Sequence, residues 1–364
     1  MLADDKKAAS KTTGAARRAR VFCALFCGVL GLAFPMFNLF SSQLSMDNHE
    51  NRLLTGLPQL LSSPLNQLPA NLDAFMVDNS PFRYQLVLLD ASIDYTLFGT
   101  SQSDQVLPGK DGWLFYKDGP TPAQPMANYQ GLTAINDTDA ALADTAAALT
   151  RLRDTLAGQG CTLIFNLTPS KDRVYREYMP DGYPIVNAEN RTDRFAAYLR
   201  QNTDLTVVYS ADTLRAAALA DPAQRYYFKT DTHWNHAGAL LGLDDVLGAA
   251  GLETPEFSGC DFAVSGRQTG DMANVAALYA ILPAEDDYAP AAYDFSPDAR
   301  TVGVVGDSFS EYYMPYLERR FAASWRQPLD GLSPALAADP GADLLILEVN
   351  ERSISALQQL LAAF

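Results

Sequence analysis

Histidine, cysteine and basic residues are scarce in this sequence of 364 residues. Its 3 histidines and 4 cysteines are too few and wrongly spaced for a disulfide framework or a zinc ribbon. Lysine and arginine number 27 against 43 acidic residues, which gives a formal net charge of −16. Such an acidic chain argues against nucleic acid or anionic lipid as a ligand and favours an uncharged or sparsely charged substrate.

One long apolar run is present, at residues 21–40, where twenty residues carry no charge. That length matches the ~30 Å of a bilayer core. Six basic and two acidic residues precede the run, so the positive-inside rule predicts a cytoplasmic tail (1–20), a membrane helix (21–40) and an extracytoplasmic remainder with a net charge of −20. A cleaved signal peptide is the alternative, although the run is long for one and lacks an A-x-A-like exit.

The outer part divides by pattern. Prolines interrupt residues 41–132 repeatedly, which indicates a juxtamembrane connecting and capping region that includes a hairpin over Val106–Tyr116. Residues 133–364 instead alternate apolar strands with amphipathic helices, which predicts an α/β domain with a mostly parallel sheet and ligands at the carboxyl ends of its strands. The predicted strands start at Cys161, Leu205, Thr301 and Leu344, and the predicted helices are Asp193–Gln201, Ala211–Leu219, Asn235–Ala249, Ser310–Ala323 and Ser353–Ala363.

A candidate nucleophile follows one of these strands. In Gly306-Asp307-Ser308 the serine lies between an apolar strand and a predicted helix start. A strand-to-helix turn of this kind exposes the hydroxyl and directs backbone N–H groups at a developing oxyanion. The alternative interpretation is that Ser308 only caps the next helix.

A serine nucleophile needs a base, and histidine is the natural candidate. His49 is juxtamembrane, whereas His233 and His236 lie at a turn before a helix. Asp231 is near enough in sequence to hold Nδ1 of His233 and leave Nε2 free for the serine proton. Asp231, His233 and His236 are also an alternative set of metal ligands, but we predict no metal and no cofactor.

These motifs resemble those of the SGNH-hydrolase-like alginate O-acetyltransferases and the related DHHW-type proteins of Gram-positive bacteria. The resemblance implies that Ser308 is the nucleophile, His233 the base and Asp231 its acidic partner. Thr232 stands where the DHHW pattern has histidine, at a position that is not catalytic. The motifs are Glu50-Asn51-Arg52, Asp78 to Arg83, Gly109 to Phe115, Pro169-Ser170-Lys171, Asp231-Thr232-His233-Trp234 and Gly306-Asp307-Ser308-Phe309.

The order of the motifs indicates a rearranged fold. Ordinary SGNH hydrolases begin with the serine strand and finish with the histidine turn, whereas here the histidine turn comes first. We therefore predict a three-layer, SGNH-like (flavodoxin-like) sheet that is circularly permuted, with residues 251–299 joining its halves. In this arrangement Asn350 resembles the oxyanion-hole asparagine of the family; the alternative is that it caps the helix near Ser353.

The predicted function is an O-acyltransferase, with acetyl as the expected group, that modifies a cell-surface or secreted polysaccharide through an acyl-serine. The resemblance also implies a membrane-bound O-acyltransferase partner that supplies the acyl group. Two alternatives remain open: an O-acetyl esterase of the same fold, in which water discharges the acyl-serine, and a polysaccharide-binding scaffold without activity.

Overall fold

A computed structural model of the chain describes residues 20–29, 31–32, 53–79, 83–132, 138–252, 262–290 and 296–364. Of the predicted membrane helix, residues 21–29 and 31–32 are helical, and the remainder of 21–40 lies outside the described residues, as do Glu50-Asn51-Arg52 and almost all of the predicted tail. Among the residues that the structure describes, no helix is both long enough and apolar enough to span a membrane.

The chain forms two compact units, residues 1–90 and 91–364. The predicted boundary at 132/133 adjoins residues outside the described set and stays a prediction. The first unit contains α1 (Leu57–Leu61), α2 (Leu68–Asp78) and the start of α3 (Arg83–Ile93), which continues into a π-helical turn at Asp94–Phe98.

The remaining helices belong to the second unit. They are α4 (Ala127–Gln130), α5 (Asp139–Gly158), α6 (Lys171–Val174), α7 (Arg191–Asn202), α8 (Ala211–Ala220), α9 (His236–Ala249), α10 (Asp271–Val275), α11 (Met314–Arg320), α12 (Pro334–Ala338) and α13 (Ile354–Leu361). Short 3-10 turns lie at Lys110–Gly112, Arg176–Tyr178, Ser308–Tyr313, Leu329–Gly331 and Glu351–Ser353.

The strands form one large sheet and two hairpins. They are β1 (Val106–Pro108), β2 (Leu114–Tyr116), β3 (Thr162–Thr168), β4 (Thr206–Tyr209), β5 (Phe262–Gln268), β6 (Glu285–Pro290), β7 (Asp298–Gly306), β8 (Phe321–Pro328) and β9 (Leu344–Asn350). β1 and β2 pair antiparallel as predicted, turning at Asp111 and Gly112 with positive φ angles. The second antiparallel pair, β5–β6, lies in the segment predicted to join the two halves of the sheet.

The central sheet has the order β4-β3-β9-β7-β8, and every adjacent pair is parallel. When the strands are counted from β7, the order becomes 2-1-3-4-5, which is the flavodoxin-like order. The connectivity therefore agrees with the predicted permutation. It also places the switch point of the sheet between β7 and β9, where ligands of such folds bind.

Helices cover both faces of this sheet. Alternate residues of β9 divide between the two cores: Ile346 packs in the cluster that holds Leu240 and Leu243 of α9, and Leu345 in the cluster that holds Leu149 of α5. Side chains of neighbouring strand residues point to opposite faces, so a strand buried on both faces must be apolar throughout. The run Leu344 to Leu347 meets this requirement.

The prediction of a helix over Ser310–Ala323 is only partly right. Residues Ser308–Tyr313 form a 3-10 turn and Met314–Arg320 a short α-helix, but Phe321 begins the edge strand β8. The Ala-Ala-Ser sequence at its start favours helix by local propensity. Pairing with β7 along Thr301–Gly306 overrides that preference.

Helix α9 approaches the loop before it closely. A Cβ added at Gly238 would collide with the carbonyl oxygen of Tyr226, whereas one added at Gly248 in the same helix has nothing within 4 Å. We expect Gly238→Ala to lower the free energy of unfolding by about 1–3 kcal/mol, because the loop must move. The matched variant Gly248→Ala should raise it by up to about 1 kcal/mol through helix propensity. Urea unfolding measures both, and equal effects would contradict the close approach.

Candidate active site

Ser308 lies directly beyond the carboxyl end of β7, in a turn fixed by its neighbour. Asp307 Oδ1 accepts the backbone N–H of Phe309 at 3.1 Å, and Oδ2 accepts the N–H of Asn350 at 2.9 Å. The carbonyl oxygen of Asp307 accepts Nη2 of Arg326 on β8 at 2.8 Å. The ends of three strands are thereby joined around the serine.

His233 connects the serine to Asp231. Its Nε2 lies 2.6 Å from the Ser308 Oγ, and its Nδ1 lies 2.7 Å from the Asp231 Oδ1. The three residues that the sequence proposes as a triad are thus brought together in one continuous hydrogen-bonded chain. This geometry allows proton transfer from the hydroxyl to the imidazole while the carboxylate orients the ring.

The Asp231 carboxylate is nearly buried and fully engaged. Its Oδ1 also accepts the backbone N–H of His233 at 2.9 Å, and its Oδ2 accepts the N–H of Asp271 at 2.9 Å. Burial by itself raises the pKa of Asp231, but the hydrogen bonds and the attraction to the His233 ring outweigh it and leave the pKa below its ordinary value. Asp231 therefore stays ionised at neutral pH.

Aromatic rings fix the orientation of the imidazole. The His233 ring centroid lies 4.8 Å from that of Phe309 and 6.0 Å from that of Tyr312. His236 packs against the same Tyr312, at 5.1 Å, and its Nε2 lies 3.6 Å from Asp287 Oδ2. His236 thus belongs to a separate pair; His49 lies outside the described residues.

Asn350 ends β9 beside the site, with its side chain almost wholly buried. Its Oδ1 accepts the backbone N–H of Arg352 at 3.3 Å, which is the capping arrangement. Its Nδ2 donates to the carbonyl oxygens of Thr168 at 3.1 Å and Pro169 at 3.5 Å. These bonds favour the interpretation as a cap, and a role in an oxyanion hole stays a prediction.

A buried acid lies on β9 two residues before Asn350. Glu348 is fully buried on β9 beside Gly306, and a Cβ added to that glycine would come within 2.8 Å of Oε2. Burial, and then the negative charge of Asp307, raise the pKa of Glu348 well above its ordinary value. The shift favours the neutral form of the carboxyl, and Gly306 makes room for it.

Ser308 opens into a groove of about 590 Å³. Its walls come from the ends of β7 and β8, from the turns that follow them and from α13, and they mix polar with apolar side chains. The groove is open to solvent. Its lining residues are Gly306, Asp307, Ser308, Glu311, Arg326, Pro328, Leu329, Asp330, Ser353, Ala356, Gln359 and Leu360.

Two acids of the β5–β6 region reach the site although sequence reasoning did not select them. Asp271 accepts the backbone N–H of Thr232 at 2.7 Å and also its hydroxyl, and Glu285 accepts the N–H of Thr230 at 2.7 Å. These contacts join residues 39 and 55 positions apart, so they leave no local pattern in the sequence.

Three features together define an SGNH-like α/β fold. They are the order of the sheet, Ser308 directly after β7, which is strand 1 of the flavodoxin-like order, and the Asp231–His233 pair that faces Ser308. The family model described as "SGNH hydrolase-like domain, acetyltransferase AlgX" matches residues 106–325. The chain belongs to this family, which confirms the resemblance and the fold class expected from the motifs.

Two curated relatives carry the name "Probable alginate O-acetylase AlgJ". The protein from Pseudomonas syringae pv. tomato is 26% identical over 178 residues, which are 49% of this chain and 41% of the relative. The one from Pseudomonas aeruginosa is 29% identical over 168 residues, 45% and 37% of the two chains. The matches thus span about two fifths of the relatives' length. The solved O-acetyltransferase domain of Pseudomonas putida AlgJ aligns at 21% identity and a TM-score of 0.47, covering 71% of this chain and 99% of that one.

A metal test follows from the geometry. The set predicted as the metal alternative is not assembled, because His236 faces Asp287; ligand atoms of Asp231, His233 and Asp271 instead lie within 4.8 Å of one another. Both ring nitrogens of His233 already have partners. We expect chelator treatment to leave hydrolysis of a chromogenic acetyl ester unchanged. Loss of activity that zinc restores would support a metal centre instead.

The two interpretations of Asn350 predict different outcomes for Asn350→Asp. If Asn350 is a cap whose Nδ2 also bonds the backbone after β3, Asn350→Asp places a carboxylate against two carbonyl oxygens. The change should then lower the free energy of unfolding by about 1–3 kcal/mol. As an oxyanion donor, it should strongly slow acylation with a nearly unchanged melting temperature. We expect the melting temperature to fall; calorimetry together with single-turnover acylation decides between them.

Proposed function

We propose that this protein is an extracytoplasmic O-acyltransferase, with acetyl as the transferred group, that modifies a polysaccharide through an acyl-enzyme on Ser308. The observation that supports this most directly is the chain of two short hydrogen bonds, 2.6 Å and 2.7 Å, from the Ser308 hydroxyl through His233 to Asp231. Family membership supports acyl transfer as the reaction class.

In the first half-reaction the Ser308 Oγ attacks the carbonyl carbon of the acyl donor. His233 Nε2 takes the hydroxyl proton, and Asp231 stabilises the imidazolium through Nδ1–H. Backbone N–H groups at the start of the 3-10 turn, with Asn350 as a further candidate, would hold the tetrahedral oxyanion. Collapse expels the donor's leaving group, which receives the proton from His233, and leaves acyl-Ser308.

In the second half-reaction an acceptor hydroxyl in the groove attacks the acyl carbon. His233 removes its proton and returns it to the Ser308 oxygen as the ester bond to the enzyme breaks. A sugar hydroxyl yields the O-acylated glycan, and water yields the free acid. The open, partly polar groove supports a glycan chain as acceptor, as do the AlgJ relatives, which are named for alginate O-acetylation.

The cellular setting is part of the same proposal. Residues 21–40 would anchor the chain as a single-pass protein of the cell membrane, 1–20 would form a cytoplasmic tail and 41–132 would cap the catalytic domain 133–364. The uncharged run and the basic residues before it support this topology. A membrane-bound O-acyltransferase would be the partner that supplies the acyl group.

Intact-protein mass spectrometry with 4-nitrophenyl acetate tests the proposal. We expect a single acetyl group on Ser308 that builds up without acceptor and is discharged faster by an acceptor glycan than by water. Ser308→Ala should prevent acetylation, and His233→Ala should lower its rate by about 10³-fold or more. In turnover of the same ester, the double variant should be little worse than either single variant, because the residues act as a unit.

His236→Ala provides the matched control, since that histidine packs on the same Tyr312 ring but faces Asp287. It should retain most of the acetylation rate, and a reversed result for the two histidines would show that the base is misassigned. Discharge by water alone, with no effect of any glycan, would favour the esterase. Wild-type protein that is never acetylated would leave only a binding role.

A further inference from the structure

A fully buried lysine outside the Ser–His–Asp chain holds the loop that carries Asp231. We call residues 228–231 the acid loop. The Lys171 Nζ donates to three of its backbone carbonyl oxygens: Phe228 at 2.9 Å, Lys229 at 2.8 Å and Asp231 at 2.6 Å. The residue is 4% exposed, and its ammonium lies 5.7 Å from the ring centroids of Trp113 and Phe115.

A buried acid holds the N–H groups of the same loop. Glu285 Oε2 accepts the backbone N–H of Lys229 at 2.9 Å, and Oε1 accepts the N–H of Thr230 at 2.7 Å and its hydroxyl at 2.6 Å. Glu285 is 8% exposed and also pairs with Arg225 at 2.9 Å. The acid loop is thus fixed by a cation on its carbonyls and by an anion on its N–H groups.

The two charges come from different parts of the fold. Lys171 follows β3 of the central sheet, at the start of α6, whereas Glu285 begins β6 of the outer hairpin. Burying an unpaired lysine or glutamate costs several kcal/mol, so neither charge is a neutral choice for filling space. Each is compensated by backbone dipoles of the one segment that must present Asp231 to His233.

We infer that Lys171 is a positioning residue for acyl transfer, that it acts in its charged form through the acid loop, and that Glu285 maintains that charge. The inference rests on the proposed function, because it needs Asp231 to orient His233. An ammonium has the three hydrogens that the three carbonyls require. A neutral amine has two, and its lone pair would face a carbonyl oxygen.

The charge state of Lys171 therefore connects pH to the site. Burial lowers the pKa of Lys171 to about 7, against the opposing effect of the carboxylates that face it, Glu285 first and then Asp231, Asp271 and Asp172. A lysine is charged below its pKa, so the acid loop is held at and below neutral pH and released above it.

The test is the rate of Ser308 acetylation by 4-nitrophenyl acetate, followed by intact mass across pH and compared among four proteins. Wild type should lose rate as pH rises through about 7. Lys171→Met should be slower by roughly ten- to a hundredfold at neutral pH and should lose this alkaline decline. Glu285→Gln should shift the decline to lower pH, because it removes the charge that most raises the pKa of Lys171.

Lys117→Met is the matched control. Lys117 is a partly buried lysine that, like Lys171, donates to a backbone carbonyl, that of Ser103 at 2.7 Å, and it does not touch the acid loop. It should keep both the rate and the pH profile of wild type. Should Lys171→Met fail to fold, the profile of Glu285→Gln carries the test.

The outcomes separate the two proposals. The inference would be overturned if the wild-type rate showed no alkaline decline, or if Lys171→Met or Glu285→Gln left that decline unchanged. Acetyl-Ser308 would still support the proposed function in those cases. Wild-type protein without acetyl on Ser308 at any pH would overturn the proposed function and, with it, the role of Lys171.

Discussion

The buried negative charge of Asp231 is the constraint on which the arrangement of the site depends. A carboxylate taken out of water is costly unless hydrogen bonds and opposite charge compensate it. Here the compensation comes from His233 and from the backbone N–H groups of His233 and Asp271. The loop that delivers Asp231 needs its own support, which Lys171 and Glu285 provide. His233, Lys171 and Glu285 thus all serve to hold the charged Asp231 in place.

A second constraint is the common edge of the parallel sheet. Ser308 follows β7 and Asn350 ends β9, the two strands that flank the switch point, and Asp307 bonds across them. The His233 turn lies on the helix α9 side of this edge, against Phe309. Because the strands are buried on both faces, their ends cannot shift independently. The rigidity needed for a 2.6 Å contact between hydroxyl and imidazole therefore comes from the core.

How much the sequence could predict depended on the range of the signal. Apolar runs predicted four of the five central strands, and motif chemistry selected Ser308 and His233, which the structure brings into contact. Strand β8 was not predicted, because the Ala-Ala-Ser sequence near its start has no strand character. Only its pairing with β7 makes it a strand. Asp271 and Glu285 were not selected as site residues because their partners lie far away along the chain. Sequence periodicity carries no information about such distant contacts. The bonds that Asn350 Nδ2 donates likewise depend on Thr168 and Pro169, which only the folded sheet brings near.

The permuted order of the strands has a consequence during synthesis. Of the central sheet, β3 and β4 emerge from the ribosome first, but the partner of β3 on its other side, β9, is made some 180 residues later along the chain. Until then β3 presents an open apolar edge, the kind that recruits other chains into aggregates. Pairings so distant in sequence also form slowly. The rearrangement leaves the finished site intact but prolongs this exposure: a nascent chain that pauses before β9 is vulnerable to misassembly even after Ser308 has been made.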